Sequence, residues 1–192
     1  MIQHGLSPAR VSLKGEKVMG TKYNVIQDVE GRSIVVINDI RFKGKRRIKW
    51  DDVEAYLRQY IGEFYRIADT QDIVYIGNDF PDEFSGSKDT ARLQGTLAKA
   101  KANATQGIPQ LIQTATNQRY KENLAEKHKT DAKLGWYRYT SRFALPIYGD
   151  DGEIDRYNVF RIELLIRQEE DENMYLYDLV NIKKETSTPL ES

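Results

Sequence analysis

The chain has 192 residues, 40% of them hydrophobic and 30% charged. That length suits one domain, or one with a small appendage, and is enough to bury a core. It has no cysteine, which excludes disulfides, a thiolate nucleophile and cysteine-ligated zinc, and no apolar run long enough to span a bilayer. The 29 basic and 29 acidic residues cancel, but they are segregated. Residues 1–50, 51–87, 88–142 and 143–192 carry +7, −7, +7 and −7 (11 Lys+Arg against 4 Asp+Glu, 2 against 9, 11 against 4, 5 against 12). A neutral total therefore leaves room for a basic face, or for blocks that pack together and cancel. The two basic blocks are expected not to merge into one face, because an acidic helix separates them.

Residues 1–20 read as a poorly ordered lead-in. Lys14, Glu16 and Lys17 interrupt any signal-peptide core, so a cytoplasmic location is expected. TKYNVIQDVEGRSIVVINDIRF reads as a β-hairpin turning at Glu30-Gly31. FKGKRRIK is a basic connection, either a solvated turn or a phosphate-contacting loop. WDDVEAYLRQYIGEFYRI then predicts an amphipathic helix, with Val53, Tyr56, Leu57, Tyr60, Ile61 and Phe64 on one face. Asp51 and Asp52 suit its positive N-terminus. Hairpin and helix make an N-terminal subdomain over 21–70.

QDIVYIG predicts a short buried strand, and NDFPDEFSGSKD a loop. Ser87 or Asp89 can cap a helix over 90–104 with Leu93, Leu97, Ala100 and Ala104 as its apolar stripe. Gly107 ends it, and Pro109 opens a third helix running to about 133 with a break near Thr116-Asn117. Leu111, Ile112, Ala115, Tyr120 and Leu124 are its predicted buried residues. GWYRYTSRFALPIYG, DRYNVFRIELLIRQ and NMYLYDLVNIKK predict an antiparallel meander. In its middle strand Phe160, Ile162, Leu164 and Ile166 point to the core, while Arg161 and Glu163 point the other way. The predicted fold class is α+β: helices on one face of an antiparallel sheet, a three- to four-stranded C-terminal meander, and an N-terminal hairpin plus helix.

EKHKTDAKLGWYRYTSRF, residues 126–143, collects the candidate chemistry. Leu124, His128 and Ala132 follow helical i, i+4, i+8 spacing. A histidine can exchange a proton near neutral pH. Lys127, Lys129, Lys133, Arg138 and Arg142 could stabilise extra charge on a phosphate. Aromatic neighbours such as Tyr137 can stack on unpaired bases. The same residues also fit a basic helix end satisfying its last carbonyls.

The order of these segments, helices followed by EKHKTDAKLGWYRYTSRF, RYNVFRIELLIR and LYDLVNIKKETSTPL, resembles the phage-associated branch of the barnase–EndoU–colicin–RelE-like nuclease superfamily, found in large polyvalent proteins of mobile elements. The likeness covers about residues 70–190, so 71–190 would be the nuclease domain. It implies helices packed on a four-stranded antiparallel sheet and metal-independent cleavage of RNA without a cofactor. It gives His128 the acid or base role with Lys129 or Lys127 assisting, Arg138 and Arg142 the phosphate clamp, and Arg161 a further contact. Thr186 and Ser187 would offer a hydroxyl to phosphate. RNA is the implied partner, with a cognate inhibitor possible for a toxin. The alternative is a non-catalytic protein-interaction module; an ADP-ribosyltransferase lacks its ordered Arg, Ser-Thr-Ser and Glu-x-Glu series here.

Overall fold

The structure, a computed structural model, describes residues 23–44, 46–122 and 132–186. The predicted hairpin forms from β1 (Tyr23–Gln27) and β2 (Ser33–Ile37), paired antiparallel. Gly31 turns it at φ +78°, a conformation that costs glycine nothing. The Asp28 carboxylate accepts from the Glu30 and Arg32 amides, both at 2.9 Å.

A connection over 38–49 leads to α1 (Trp50–Leu57). It is fastened to the body through Asn103. The Asn103 side chain accepts from the Phe42 N–H and donates to the Phe42 carbonyl, each at 3.0 Å. The helix is shorter than its periodicity suggests. A 3-10 turn over Arg58–Tyr60 closes it, Gly62 turns at φ +87°, and Phe64–Arg66 become β3. Phe64, expected in the core, is 58% exposed.

β4 (Ile73–Tyr75) forms where a strand was expected. The expected loop after it contains α2 (Phe80–Gly86), because Pro81 suits a helix start and Phe80 and Phe84 bury one face. The next helix is divided. α3 (Lys88–Arg92) is capped by Ser87, whose hydroxyl accepts from the Thr90 amide at 3.0 Å. α4 (Gly95–Ala104) begins only after Gly95 turns at φ +59°. The predicted third helix is cut further. α5 (Ile108–Gln113) ends before the break expected near Thr116-Asn117, and the chain continues as β5 (Thr116–Lys121). Asn117 at φ +58° makes that change of course, and Tyr120 is 56% exposed rather than buried. Leu124 lies outside the described residues.

The meander forms as β6 (Trp136–Tyr148), β7 (Ile154–Gln168) and β8 (Met174–Thr186). The molecule is thus mixed α and β around one eight-stranded sheet, ordered β1-β2-β6-β7-β8-β4-β3, with β5 also paired to β6. The sheet is not wholly antiparallel: β2 joins β6, and β4 joins β8, in parallel. β6 is long enough to hold two neighbours in turn on one edge. Its first half pairs with β5 and Phe143–Ala144 with β2.

Alternation decides the two faces. Tyr139, Phe143, Phe160, Ile162, Leu164 and Ile166 form one core with Leu57, Phe80, Phe84, Ala104 and Leu111 from the helices. Phe143 and Phe160 stack at 5.2 Å. The opposite, outer face holds only a small apolar cluster of Ile26, Ile34, Val36, Ala144 and Val159, with no helical residue in it.

Candidate functional site

On the outer face, residues paired across strands point the same way. Beside the small apolar cluster, Arg142, Arg161 and Lys183 align across β6, β7 and β8. Neighbouring strands lie about 4.8 Å apart, so this cationic row spans roughly 10 Å. In the next row Thr140 pairs with Glu163. Beyond it Arg138 pairs with Arg119 of β5.

Glu163 is the centre of this band. It accepts from Arg138 at 3.0 Å, from Arg119 at 2.9 Å and from the Asn181 carboxamide at 2.7 Å. Asn181 reaches it from an irregularity in β8, where it sits at φ +53°. Partial burial pushes the Glu163 carboxyl up, but the Asn181 and Arg138 hydrogen bonds and the two arginine charges outweigh it and hold the carboxyl below its usual range. Arg119 also donates to Thr140 Oγ1 at 3.3 Å. Arg142 donates through Nε to Glu185 at 2.9 Å, and no hydrogen bond of its terminal nitrogens is found among the described residues. Arg161 and Lys183 have no hydrogen-bond or ion-pair partner among the described residues. Five cations thus stand around two carboxylates on a partly exposed face.

The far end of the outer face is aromatic. Phe64, Tyr75 and Tyr175 align across β3, β4 and β8 with ring centroids 5.7 and 5.8 Å apart. Trp136 meets Tyr177 at 5.1 Å. The Arg167 guanidinium, 5.8 Å from the Tyr177 ring, reaches α2. It donates to Glu83 at 2.8 and 3.0 Å and to Asp79 at 2.7 Å, and Glu169 stands 3.2 Å from its Nε. One guanidinium cannot neutralise three acids. Burial, then the adjacent Asp79, push the Glu83 carboxyl up to about 8 against the pull of Arg167.

Of the residues singled out in the sequence, Arg138, Arg142 and Arg161 come together on this face. Tyr137 does not. It points to the helix side, packs on the main core and meets Tyr120 at 5.1 Å, so it is no open platform for a base on this face. Lys133 is engaged by Glu170 at 2.9 Å in the approach to β6. Thr186 is the last residue of β8, in register with Val159. Lys127, His128, Lys129 and Ser187 lie outside the described residues.

Sequence reasoning gives no site role to Arg119, Thr140, Asn181, Lys183 or Glu163, although it places Glu163 on the polar face. Arg119 was assigned to a helix, although Gln118-Arg119-Tyr120-Lys121 admits a strand. Lys183 and Asn181 become visible only through cross-strand register. Among the described residues no group of three or more His, Asp or Glu stands where it could hold a metal ion. No described helix is long and apolar enough to cross a membrane. Comparison of the chain with protein-family models, curated proteins and solved structures finds no match.

Proposed function

We propose that this protein is a metal-independent endoribonuclease working on the outer face of β6–β8, of the phage and mobile-element kind its sequence resembles. The observation that carries this reading is the gathering of Arg138, Arg142 and Arg161, with Arg119 and Lys183, on one partly exposed sheet face. Arg161, Lys183 and the terminal nitrogens of Arg142 would hold a phosphodiester, because guanidinium forks match phosphate oxygens. Glu163, ionised at neutral pH, would take the proton of a ribose 2′-hydroxyl. The 2′-oxygen then attacks phosphorus, and the 5′-oxygen leaves with a proton from His128, giving a 2′,3′-cyclic phosphate. Arg138 and Arg119 would meet the charge of the five-coordinate state. A toxin or host-takeover role, possible inhibition by a cognate protein and a cytoplasmic place of action belong to the same proposal.

The test is incubation with mixed RNA in the presence of a chelator. Products ending in a cyclic phosphate should appear, and Glu163→Gln should suppress them. One observation favours a second reading: Glu163 is already engaged by three donors, as a structural ion network would be. A non-catalytic interaction module would then leave RNA uncut while Glu163→Gln lowers stability alone.

A further inference from the structure

A pocket of about 520 Å³ lies between the 38–49 connection, the start of α1 and the α3–α4 turn. Arg46, Arg47 and Gln94 are its polar lining, Trp50, Ile48 and Leu93 its principal apolar lining, and no acidic side chain of the described residues lines it. Its volume falls in the range that small-molecule sites occupy, about 300–1,000 Å³.

The described residues that flank the arginines are anchored to the body. Phe42 is held by the two Asn103 hydrogen bonds, and Phe42 and Ile48 are buried at either end of the turn. A Cβ at Gly44 would collide with the Arg47 carbonyl oxygen. Arg46 and Arg47 are exposed and have no hydrogen-bond or ion-pair partner among the described residues. On the opposite side, the ten-residue α4 starts with no capping side chain and no acid in its first turn. Trp50 is half-buried and meets Phe84 at 6.4 Å, so its ring is held in place where it lines the cavity.

Elsewhere some cations are answered among the described residues, while others, Arg161 and Lys183 among them, are not. Arg119, Arg138, Arg142, Lys101 and Lys133 of the second basic block each find an acid from residues 143–192. The cations of the described 41–49 stretch find no ion-pair partner among the described residues; Arg41 stacks on Tyr56 at 4.7 Å instead.

We infer that this pocket binds a nucleotide, its phosphate on Arg46 and Arg47 and its base against Trp50. Two neighbouring guanidinium groups with no ion-pair partner among the described residues suit phosphate, and an indole packed on Phe84 suits a planar ring. The nucleotide can come free or as one unit of an RNA strand. The pocket shares no residue with the Glu163 face, so the two sites can fail separately.

Calorimetric titration with adenosine and uridine 5′-monophosphates, adenosine, inorganic phosphate and a 5′-phosphorylated oligonucleotide tests this. Either a monophosphate or the oligonucleotide should bind, tenfold or more tightly than adenosine or phosphate alone, and more weakly as salt rises. Binding of the monophosphate assigns the free form; binding of the oligonucleotide alone assigns the strand. Arg46→Glu with Arg47→Glu, both exposed, should weaken binding at least tenfold without altering the fold. Arg161→Ala should leave it unchanged while impairing RNA cleavage. The inference is overturned if neither nucleotide nor oligonucleotide binds at millimolar concentration. It is equally overturned if binding survives the double reversal or is lost in Arg161→Ala.

Discussion

Glu163 and Arg161 are neighbours on one strand, yet the structure assigns them opposite energetic roles. Removing Glu163 leaves Arg119 and Arg138 facing one another without their shared acceptor. Glu163→Ala is expected to cost about 1–3 kcal/mol of stability, since part-buried groups lose their partner. Arg161 has no hydrogen-bond or ion-pair partner among the described residues, so Arg161→Ala should stay within about 0.5 kcal/mol of wild type. Denaturant titration of both variants checks the contrast; equal losses would mean that Arg161 holds structure rather than ligand. Glu83 gives a pH prediction at the same scale. Its carboxyl titrates at 4.5 when unperturbed and near 8 in the fold. The folded state therefore holds the extra proton between those values. Its stabilising contribution is present below pH 4.5 and is lost as pH rises to about 8. Glu83→Gln, which cannot ionise beside Asp79, should flatten the fall in melting temperature across that window. A slope unchanged by Glu83→Gln would place the titration elsewhere.

Among elements, the tie between α4 and β8 is unusual. Lys101 is fully buried; its ammonium lies 2.9 Å from Asp178 and 3.0 Å from Asp89, and 4.9 Å from the Phe84 ring centroid. Desolvation pushes the Asp178 carboxyl up to about 6 even with Lys101 beside it. Lys101→Met would leave that carboxylate buried without its counter-charge, at a cost of about 3–5 kcal/mol. A loss below about 1 kcal/mol by chemical denaturation would contradict this. Elements also show where sequence patterns stop being informative. The hairpin and β6–β8 were legible because alternation and turn glycines act within a few residues. In α2 the turn-forming residues around Phe80-Pro81 hid a helix whose stability comes from burying Phe80 and Phe84. The stretch from Ile108 to Lys121 read as one helix because apolar spacing cannot register the turn at Asn117, which β6 stabilises by pairing with β5.

For the whole molecule, opposite charge blocks do pack together, but selectively. Residues 88–142 pair with 143–192 through strand neighbours and through Lys101, whereas the basic 41–49 stretch remains unanswered among the described residues. Sheet order was not legible, because the parallel joins of β2 to β6 and β4 to β8 link distant segments. The candidate face was legible only in the arginines of β6 and β7; Arg119, Asn181 and Lys183 needed the register of other strands. The central claim is that this face performs chemistry on RNA. The most direct measurement is the single-turnover rate of RNA cleavage in chelator for wild type, Arg161→Ala and His128→Ala, with melting temperatures in parallel. We predict cleavage by wild type, a loss of about a hundredfold or more in both variants, and unchanged melting. Wild type that leaves every RNA intact, or cleavage that survives both substitutions, would contradict it.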